Sequence, residues 1–333
     1  MGNPTYTQSY TNQIRKFKID NSNNQLSFSN YTATTDAVHL HRRDFNLLPY
    51  IYADGEEVFL ISSGVFQVNV DLPYLYPVEI KENSYTPITS FNQYLSNYHS
   101  ATANLYDSTN NMMHSLFFGG MSQYYYQNGN LIQDNQVPFV KTISRLTRDA
   151  NGNYSEHLLP IEMPGLKGSS AEFIINKNLP HYESKIIKLD LINQNTFLIG
   201  HIYGGINSSS LNPFSNNQTN LTNADNVIYE VWLTRTNNNT GEKIEFFNPY
   251  QISVYPIPFE KEFTIAFNLE KPSRVAYFIT NHLGKIIQST ENFHYNEGEN
   301  KKSINLKNQS SGIYNITIIF DNEFYVTQKI TKN

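Results

Sequence analysis

No stretch of this chain sustains an apolar residue every three or four positions. What recurs is a short apolar run closed off by Asn, Gly, Asp or Pro. Examples are Val58-Phe59-Leu60-Ile61, Ser115-Leu116-Phe117-Phe118, Phe197-Leu198-Ile199 and Val227-Ile228-Tyr229-Glu230-Val231-Trp232-Leu233. Runs this short, bounded by turn-forming residues, are strands rather than helices. The 24 Tyr and 21 Phe suit a pleated, half-buried surface. The pattern predicts an all-β chain, and 333 residues are enough for two domains. Asp149-Ala150-Asn151-Gly152-Asn153 reads as a hairpin tip, because Asn-Gly tolerates the positive φ of a tight turn. Asn237-Asn238-Asn239-Thr240-Gly241 reads as another, joining residues 231–234 to 244–247.

Composition removes several classes of function. A net charge of -5 without a basic block argues against nucleic acid, whose phosphates require clustered Lys and Arg. With no cysteine, neither a disulfide framework nor a thiolate metal site can form. No apolar run approaches the roughly 18 residues that span a bilayer. The opening Met1-Gly2-Asn3-Pro4-Thr5-Tyr6-Thr7 has no basic end and no apolar stretch, so it does not read as a secretory signal peptide.

A repeat runs through the first 250 residues. Phe117-Phe118-Gly119-Gly120-Met121 and Ile202-Tyr203-Gly204-Gly205-Ile206 share an apolar strand, a double glycine and an apolar residue. Ile61-Ser62-Ser63-Gly64-Val65 is a degenerate third copy. A strand ending in Gly-Gly resembles the second strand of a kelch blade, and Tyr98-His99-Ser100-Ala101 resembles the strand before it. The resemblance implies a kelch-like β-propeller over residues 1–250. The copies lie roughly 55 and then 85 residues apart, against about 50 for a kelch repeat. That leaves room for four or five blades, so the ring reads as incomplete at its front. A β-sandwich with glycine-containing hairpins is the alternative.

From Ile252 the texture changes, and seven strand-like runs follow in quick succession. Phe263, Ile265, Phe267 and Leu269 alternate onto one face, as do Val275, Tyr277 and Ile279. Short alternating strands at this spacing predict a small antiparallel, immunoglobulin-like β-sandwich over residues 251–333. Four landmarks resemble the type A C-terminal sorting domain of type IX secretion cargo from Bacteroidetes. They are Val254-Tyr255-Pro256-Ile257-Pro258-Phe259, the hairpin Asn281-His282-Leu283-Gly284-Lys285, Ser310-Ser311-Gly312-Ile313-Tyr314, and the tail Lys329-Ile330-Thr331-Lys332. Tyr255, Pro256, Pro258, Gly284, Gly312, Tyr314, Lys329 and Lys332 carry the match. Ile257 stands where the family has Asn, and His282-Leu283 lengthens the first hairpin.

The resemblance implies export by the type IX machinery, removal of the domain, and attachment to surface lipopolysaccharide or release. It also implies a signal peptide, so the expectation is that the front of the protein is missing from this chain.

Candidate binding residues are polar groups on the repeat. His39-Leu40-His41 places two imidazoles on one strand face, with Asp44 nearby, but Arg42 and Arg43 would repel a metal ion. The same stretch instead suits a polar binding surface formed by His39, His41, Arg42 and Arg43. His99, His114 and His201 sit near strand or turn positions, where titration near neutrality would favour an anionic ligand. Tyr124-Tyr125-Tyr126 reads mainly as packing, with sugar stacking as the alternative. Asp107-Ser108-Thr109 matches a short O-glycosylation signal. There is no nucleophile elbow, Gly-rich phosphate loop or His-Glu-x-x-His, so no catalytic residue, metal or cofactor is predicted. The sequence thus points to a secreted or cell-surface binding protein for a glycan or protein ligand. A hydrolase acting on a polysaccharide or peptide at the channel mouth is the alternative.

Overall fold

The computed structural model describes residues 9–22, 25–127, 130–235, 242–243, 250–281, 285–290, 292–321 and 324–333. It is all-β, and among the described residues the helical elements are two single 3-10 turns. The expected hairpin tip at 237–241 and its return strand at 244–247 lie outside the described residues. The chain divides into two compact units. One comprises Arg42–Gln67 and Asp71–Ile244, with Met1–Ser9. The other comprises Tyr10–His41, Val68–Val70 and Glu245–Asn333.

The second unit holds a lone hairpin of β1 (Gln13–Asp20) and β2 (Ser27–Thr35), paired with one irregularity after Lys16. The first unit is three groups of antiparallel strands. Group one is β3 (Asn46–Ile51), β4 (Glu57–Ser62), β5 (Val78–Ile80) and β6 (Tyr85–Pro87), paired in chain order. Group two is β7 (Ala101–Asp107), β8 (Met112–Phe118), β11 (Thr142–Arg148) and β12 (Tyr154–Glu162). The small hairpin β9 (Tyr124–Gln127) and β10 (Asn130–Gln133) interrupts it. Group two is widened at its edges by β15 (Ile187–Lys188), parallel to β7, and by β20 (Glu242–Lys243), beside β12. Group three is β14 (Glu172–Ile175), β16 (Thr196–Tyr203) and β19 (Tyr229–Thr234). Beside it run β13 (Leu166–Ser169), β17 (Ile206–Ser208) and β18 (Thr222–Ala224). Among the described residues, no sheet closes on itself.

The groups stack face to face, because group two is apolar on both sides. Tyr106, Met113, Phe117 and Leu146 pack against Leu48, Tyr50 and Leu60 of group one. Ala103, Leu105, Leu116 and Phe118 pack against Phe197, Ile199 and Ile202 of group three. A sheet buried on both faces loses simple polar–apolar alternation, which is why β8 reads as a continuous apolar run. The predicted tip at 149–153 joins β11 to β12. The Asp149 carboxylate accepts the amides of Asn151 and Asn153 at 2.9 and 2.8 Å, and Gly152 has φ +83°.

All three glycine motifs end the second strand of a group: β4, β8 and β16. Each final glycine lies against the residue that leads into the first strand of its own group. A Cβ on Gly64 would come within 2.9 Å of Phe45, on Gly120 within 3.1 Å of Ser100, and on Gly205 within 2.8 Å of Ala171. The preceding residues hydrogen-bond from group to group. The His99 amide donates to the Asp44 carbonyl at 2.7 Å, and the Ser170 amide to the His99 carbonyl at 2.9 Å. The repeat is therefore structural, although its spacing is irregular.

Residues 93–97 join group one to group two and are buried without being a strand. A buried loop must satisfy its backbone internally. Here side chains do it. Glu156 of β12 accepts the amides of Tyr94 and Leu95 at 2.7 and 3.1 Å. Asn97 Oδ1 accepts the Gln123 amide at 2.9 Å and the Ser122 hydroxyl at 3.1 Å. Complete burial pushes the Glu156 carboxyl up to about 8, although the two amides pull it down.

Two outcomes are expected. Gly168→Ala puts a Cβ at 2.1 Å from the Phe118 carbonyl, at φ +95°, and costs upward of about 3 kcal/mol. Gly152→Ala, at a similar φ but in open space, costs about 1 kcal/mol. Denaturant unfolding followed on the first unit checks the contrast, and equal costs would refute the close-approach reading. The second outcome concerns pH. A carboxyl raised in the folded state stabilises fully below its ordinary pKa of 4.5 and loses that contribution as pH rises through about 8. Relative to Glu156→Gln, the parent chain should lose on the order of a few kcal/mol across that window. Glu156→Gln keeps an acceptor and carries no charge, so the difference between the two profiles isolates this carboxyl from His114, whose lowered pKa acts in the opposite direction.

Candidate functional sites

The first unit contains a cleft of about 1090 Å³ between groups two and three. Ile143, Leu159 and Ile161 of the six-stranded middle sheet line it, opposite the three strands of group three. Its floor is apolar, through Leu105, Leu116, Phe118, Ile199 and Val231. Its polar lining includes Asp107, His114, Arg145, Glu162, Asp190 and Arg235, and Glu230 and Trp232, on the outward phase of β19, reach its margin. His114 Nδ1 lies 3.0 Å from the Thr147 hydroxyl. Burial, and then the nearby Arg145 charge, pull its imidazole down to about 4. At neutral pH His114 therefore presents a neutral ring, not the cation expected for holding an anion. Asp190 accepts the Ser108 hydroxyl at 2.6 Å, which ties the short glycosylation-like motif to the cleft rim.

The other predicted residues are dispersed. In the second unit, His39 is buried and its amide donates to Asp36 at 2.9 Å. His41 stacks on Tyr10 at 4.0 Å between ring centroids. In the first unit, Arg42 is engaged by the fold itself. It is buried, donates to the carbonyls of Ser63 and Tyr76 at 2.7 and 2.8 Å, and lies 4.0 Å over the Tyr74 ring. Arg43 pairs with Asp44 at 3.2 Å and lies over the Phe66 ring. His99 approaches Glu172 at 3.8 Å. His201 lies on β16, in register with Ile174 and Glu230. Tyr124 is buried edge-on against Tyr94, so the tyrosine cluster begins as packing. Arg145, Glu230 and Trp232 belong to no recognisable motif. The available signal is that Trp232 is the chain's single Trp.

Lys167, Asp225 and Tyr229 form a further polar cluster. The ammonium donates to Asp225 at 3.0 Å and to the Tyr229 hydroxyl at 2.5 Å. Tyr229 in turn donates to Asp225 at 3.1 Å. Each polar group finds its partner within the cluster, which pins β13 to the start of β19.

In the second unit, residues 250–333 form two sheets around one core. One sheet is β21 (Ser253–Tyr255), β22 (Glu262–Leu269) and β26 (Gly298–Asn305). The other is β23 (Ser273–Asn281), β24 (Ile286–Ser289), β25 (Phe293–Tyr295), β27 (Gly312–Phe320) and β28 (Phe324–Lys332). Phe263, Ile265, Phe267 and Leu269 from the first meet Val275, Tyr277, Ile279, Ile316 and Ile318 from the second, all buried.

The sequence landmarks become specific contacts in this sandwich. Tyr255 ends β21, opposite Thr264. The Tyr255–Pro256 and Ile257–Pro258 bonds are both cis. Phe259, at the close of the motif, is buried against Phe263 at 4.9 Å. Its amide donates to the Thr331 carbonyl, and the Asn333 amide donates back to its own carbonyl, both at 2.9 Å. The opening motif and the closing tail therefore form one parallel bridge, from Phe259 to Lys332. Along that tail Lys329 points out and Ile330 points in. Gly312 opens β27, and the Tyr314 hydroxyl reaches back to the Ser310 carbonyl at 2.5 Å, closing the Ser-Ser-Gly corner. Asn281 and Lys285 are linked by two hydrogen bonds of 3.0 Å across the first hairpin. Gly284 lies outside the described residues.

Residues 253–333 match the family model described as a secretion system C-terminal sorting domain. A tail of this family indicates export by the type IX system, and with it a secreted or cell-surface protein. No curated protein matches the chain. Among the described residues, no helix is long and apolar enough to cross a membrane.

The Phe259 clamp is directly testable. Phe259→Ala should cost the sandwich about 3–5 kcal/mol and expose the Asn333 amide to solvent exchange. Unchanged protection of the Asn333 amide would show that the clamp does not hold the tail.

Proposed function

We infer that this chain is an exported binding protein, in which residues 251–333 are the address and residues 1–250 present a ligand face. The carrying observation is the family match over 253–333, whose landmarks come together in one folded sandwich. The immunoglobulin-like reading of that sandwich is supported by its two antiparallel sheets around a single core. The kelch-like reading of the first unit is supported by two successive four-strand meanders, a third antiparallel group, and a glycine at the same place in each. In that reading the stack is an incomplete, open propeller whose last blade keeps a free outer face. Attachment to lipopolysaccharide after removal of the sorting domain belongs to the same proposal. The ligand is a glycan or a protein, taken at the cleft lined by His114 or on the face that carries His201 and His99.

A hydrolase is the second reading. One observation favours it: Asp107, Glu162, Asp190 and Glu230 all line the same cleft, and paired carboxylates serve glycoside hydrolysis. Release of reducing ends from a polysaccharide by the full chain would establish it over simple binding.

The address is tested by fusing residues 250–333, behind a signal peptide, to a reporter in a host that has the type IX system. Reporter on the surface or in the medium is the expected result. Reporter held in the periplasm would overturn it.

A further inference from the structure

Group three buries one face and leaves the other open. Alternation sends Tyr229, Val231 and Leu233 of β19 into the core, so Glu230, Trp232 and Thr234 face outward. On β16 the same phase carries Leu198, His201 and Tyr203, with an irregularity between Leu198 and Gly200 that keeps Ile199 and Ile202 inside. Register then fixes the outer face. Trp232 lies beside Leu198, Glu230 beside His201, and Tyr203 beside Glu172 of β14.

Two large aromatic rings on this face meet solvent. Trp232 is 57% exposed and Tyr203 is 56% exposed. Tyr203 sits one residue beyond the Ile202–Tyr229 pair, so it is four strand positions from Trp232, or about 14 Å along the sheet. Between them stand the His201 imidazole and the Glu230 carboxylate, which accepts the indole N–H of Trp232 at 2.9 Å. That hydrogen bond fixes the indole in orientation. Exposed Trp and Tyr held this way are the residues that dominate recognition surfaces.

We propose that this face, centred on Trp232, Tyr203, His201 and Glu230, binds a neutral polysaccharide. The proposal rests on the binding reading above and names its ligand. A pyranose presents a flat array of C–H bonds, which stacks on an aromatic ring whose π face is negative. Its hydroxyls, at the ring edge, both donate and accept, which suits a carboxylate beside an imidazole. Two rings separated by an imidazole and a carboxylate therefore fit a linear chain of several sugars. Charge narrows the class. The three strands contain no Lys or Arg, and they present Glu172 and Glu230. A uronate or sulfated polymer would meet like charge on this face.

The chain's single Trp makes the test direct, since all indole emission comes from Trp232. The full chain is run in affinity gels containing hydroxyethylcellulose, xylan or laminarin, with alginate and heparin as acidic controls. Emission spectra are recorded with the same polymers. At least one neutral polymer should retard the protein and shift emission to the blue, and the acidic polymers should do neither. Trp232→Ala should weaken retardation by about tenfold or more, and Tyr203→Ala by a smaller factor. Both positions are exposed, so circular dichroism should show the variants folded. Retardation with unshifted emission and an unaffected Trp232→Ala would place the glycan elsewhere, overturning this site while leaving the binding reading. Retention only by the acidic polymers would overturn the neutral class. Failure of the chain to bind any polysaccharide or protein ligand would overturn both.

Discussion

The first unit depends on a meeting of backbones that leaves no room for a side chain. A Cβ on Gly119 would fall 2.1 Å from the Lys167 carbonyl, and one on Gly168 would fall 2.1 Å from the Phe118 carbonyl. The Gly120 amide donates to that same Lys167 carbonyl at 2.8 Å. The turn that follows β8 and the strand β13, which leads into group three, thus lie against each other, backbone to backbone. Gly205 closes on the same segment from the other side, with the Ser169 carbonyl 2.7 Å from its Cβ position. Gly119, Gly120 and Gly205 thus all meet one short stretch, residues 167–171, while Gly204 faces open space.

That contact sets the spacing of the groups, and the spacing sets the chemistry. Held face to face, the middle sheet must be apolar on both sides, and the loop joining it to group one must run inside. A buried loop requires partners for its amides, and Glu156 supplies two. Arg148 does the converse job for carbonyls, donating to Asn111 at 2.6 Å and to Ile51 at 2.8 Å while fully buried. These two buried ionisable groups are thus explained by backbone satisfaction, without invoking a reaction. The same stacking leaves group three as the outer layer, and only an outer layer has a face free to carry Trp232.

Strand content and the glycine repeat were legible because they are local. Alternation in 263–269 and the Asn-Gly tip at 151–152 follow from neighbouring residues alone. The sandwich landmarks were legible through their order. Partnership across distance was not. Nothing local says that Arg42 will lie over Tyr74, or that Arg145 will depress His114. Histidine drew attention by its type, yet burial decided its state, and His114 became a neutral ring. Trp232 is illegible for the opposite reason. It sits within an apolar run that reads as core, and only the packing of Val231 into the core separates that inward phase from the outward phase of Trp232.

The sorting landmarks carry the same lesson into the second unit. Tyr255-Pro256-Ile257-Pro258-Phe259 and the tail at 329–333 stand at opposite ends of the module in sequence. In the fold they are joined through Phe259, which donates to Thr331 and accepts from Asn333. Phe259 is also buried in the shared core, so the clamp and the core form together. An unfolded tail would keep every motif in the right order and lose the juxtaposition entirely. A receptor that reads both ends at once must therefore read the folded sandwich, and the order of motifs in sequence is a record of that fold. Each unit has a core of its own, so the address has the packing it needs without borrowing from the ligand face.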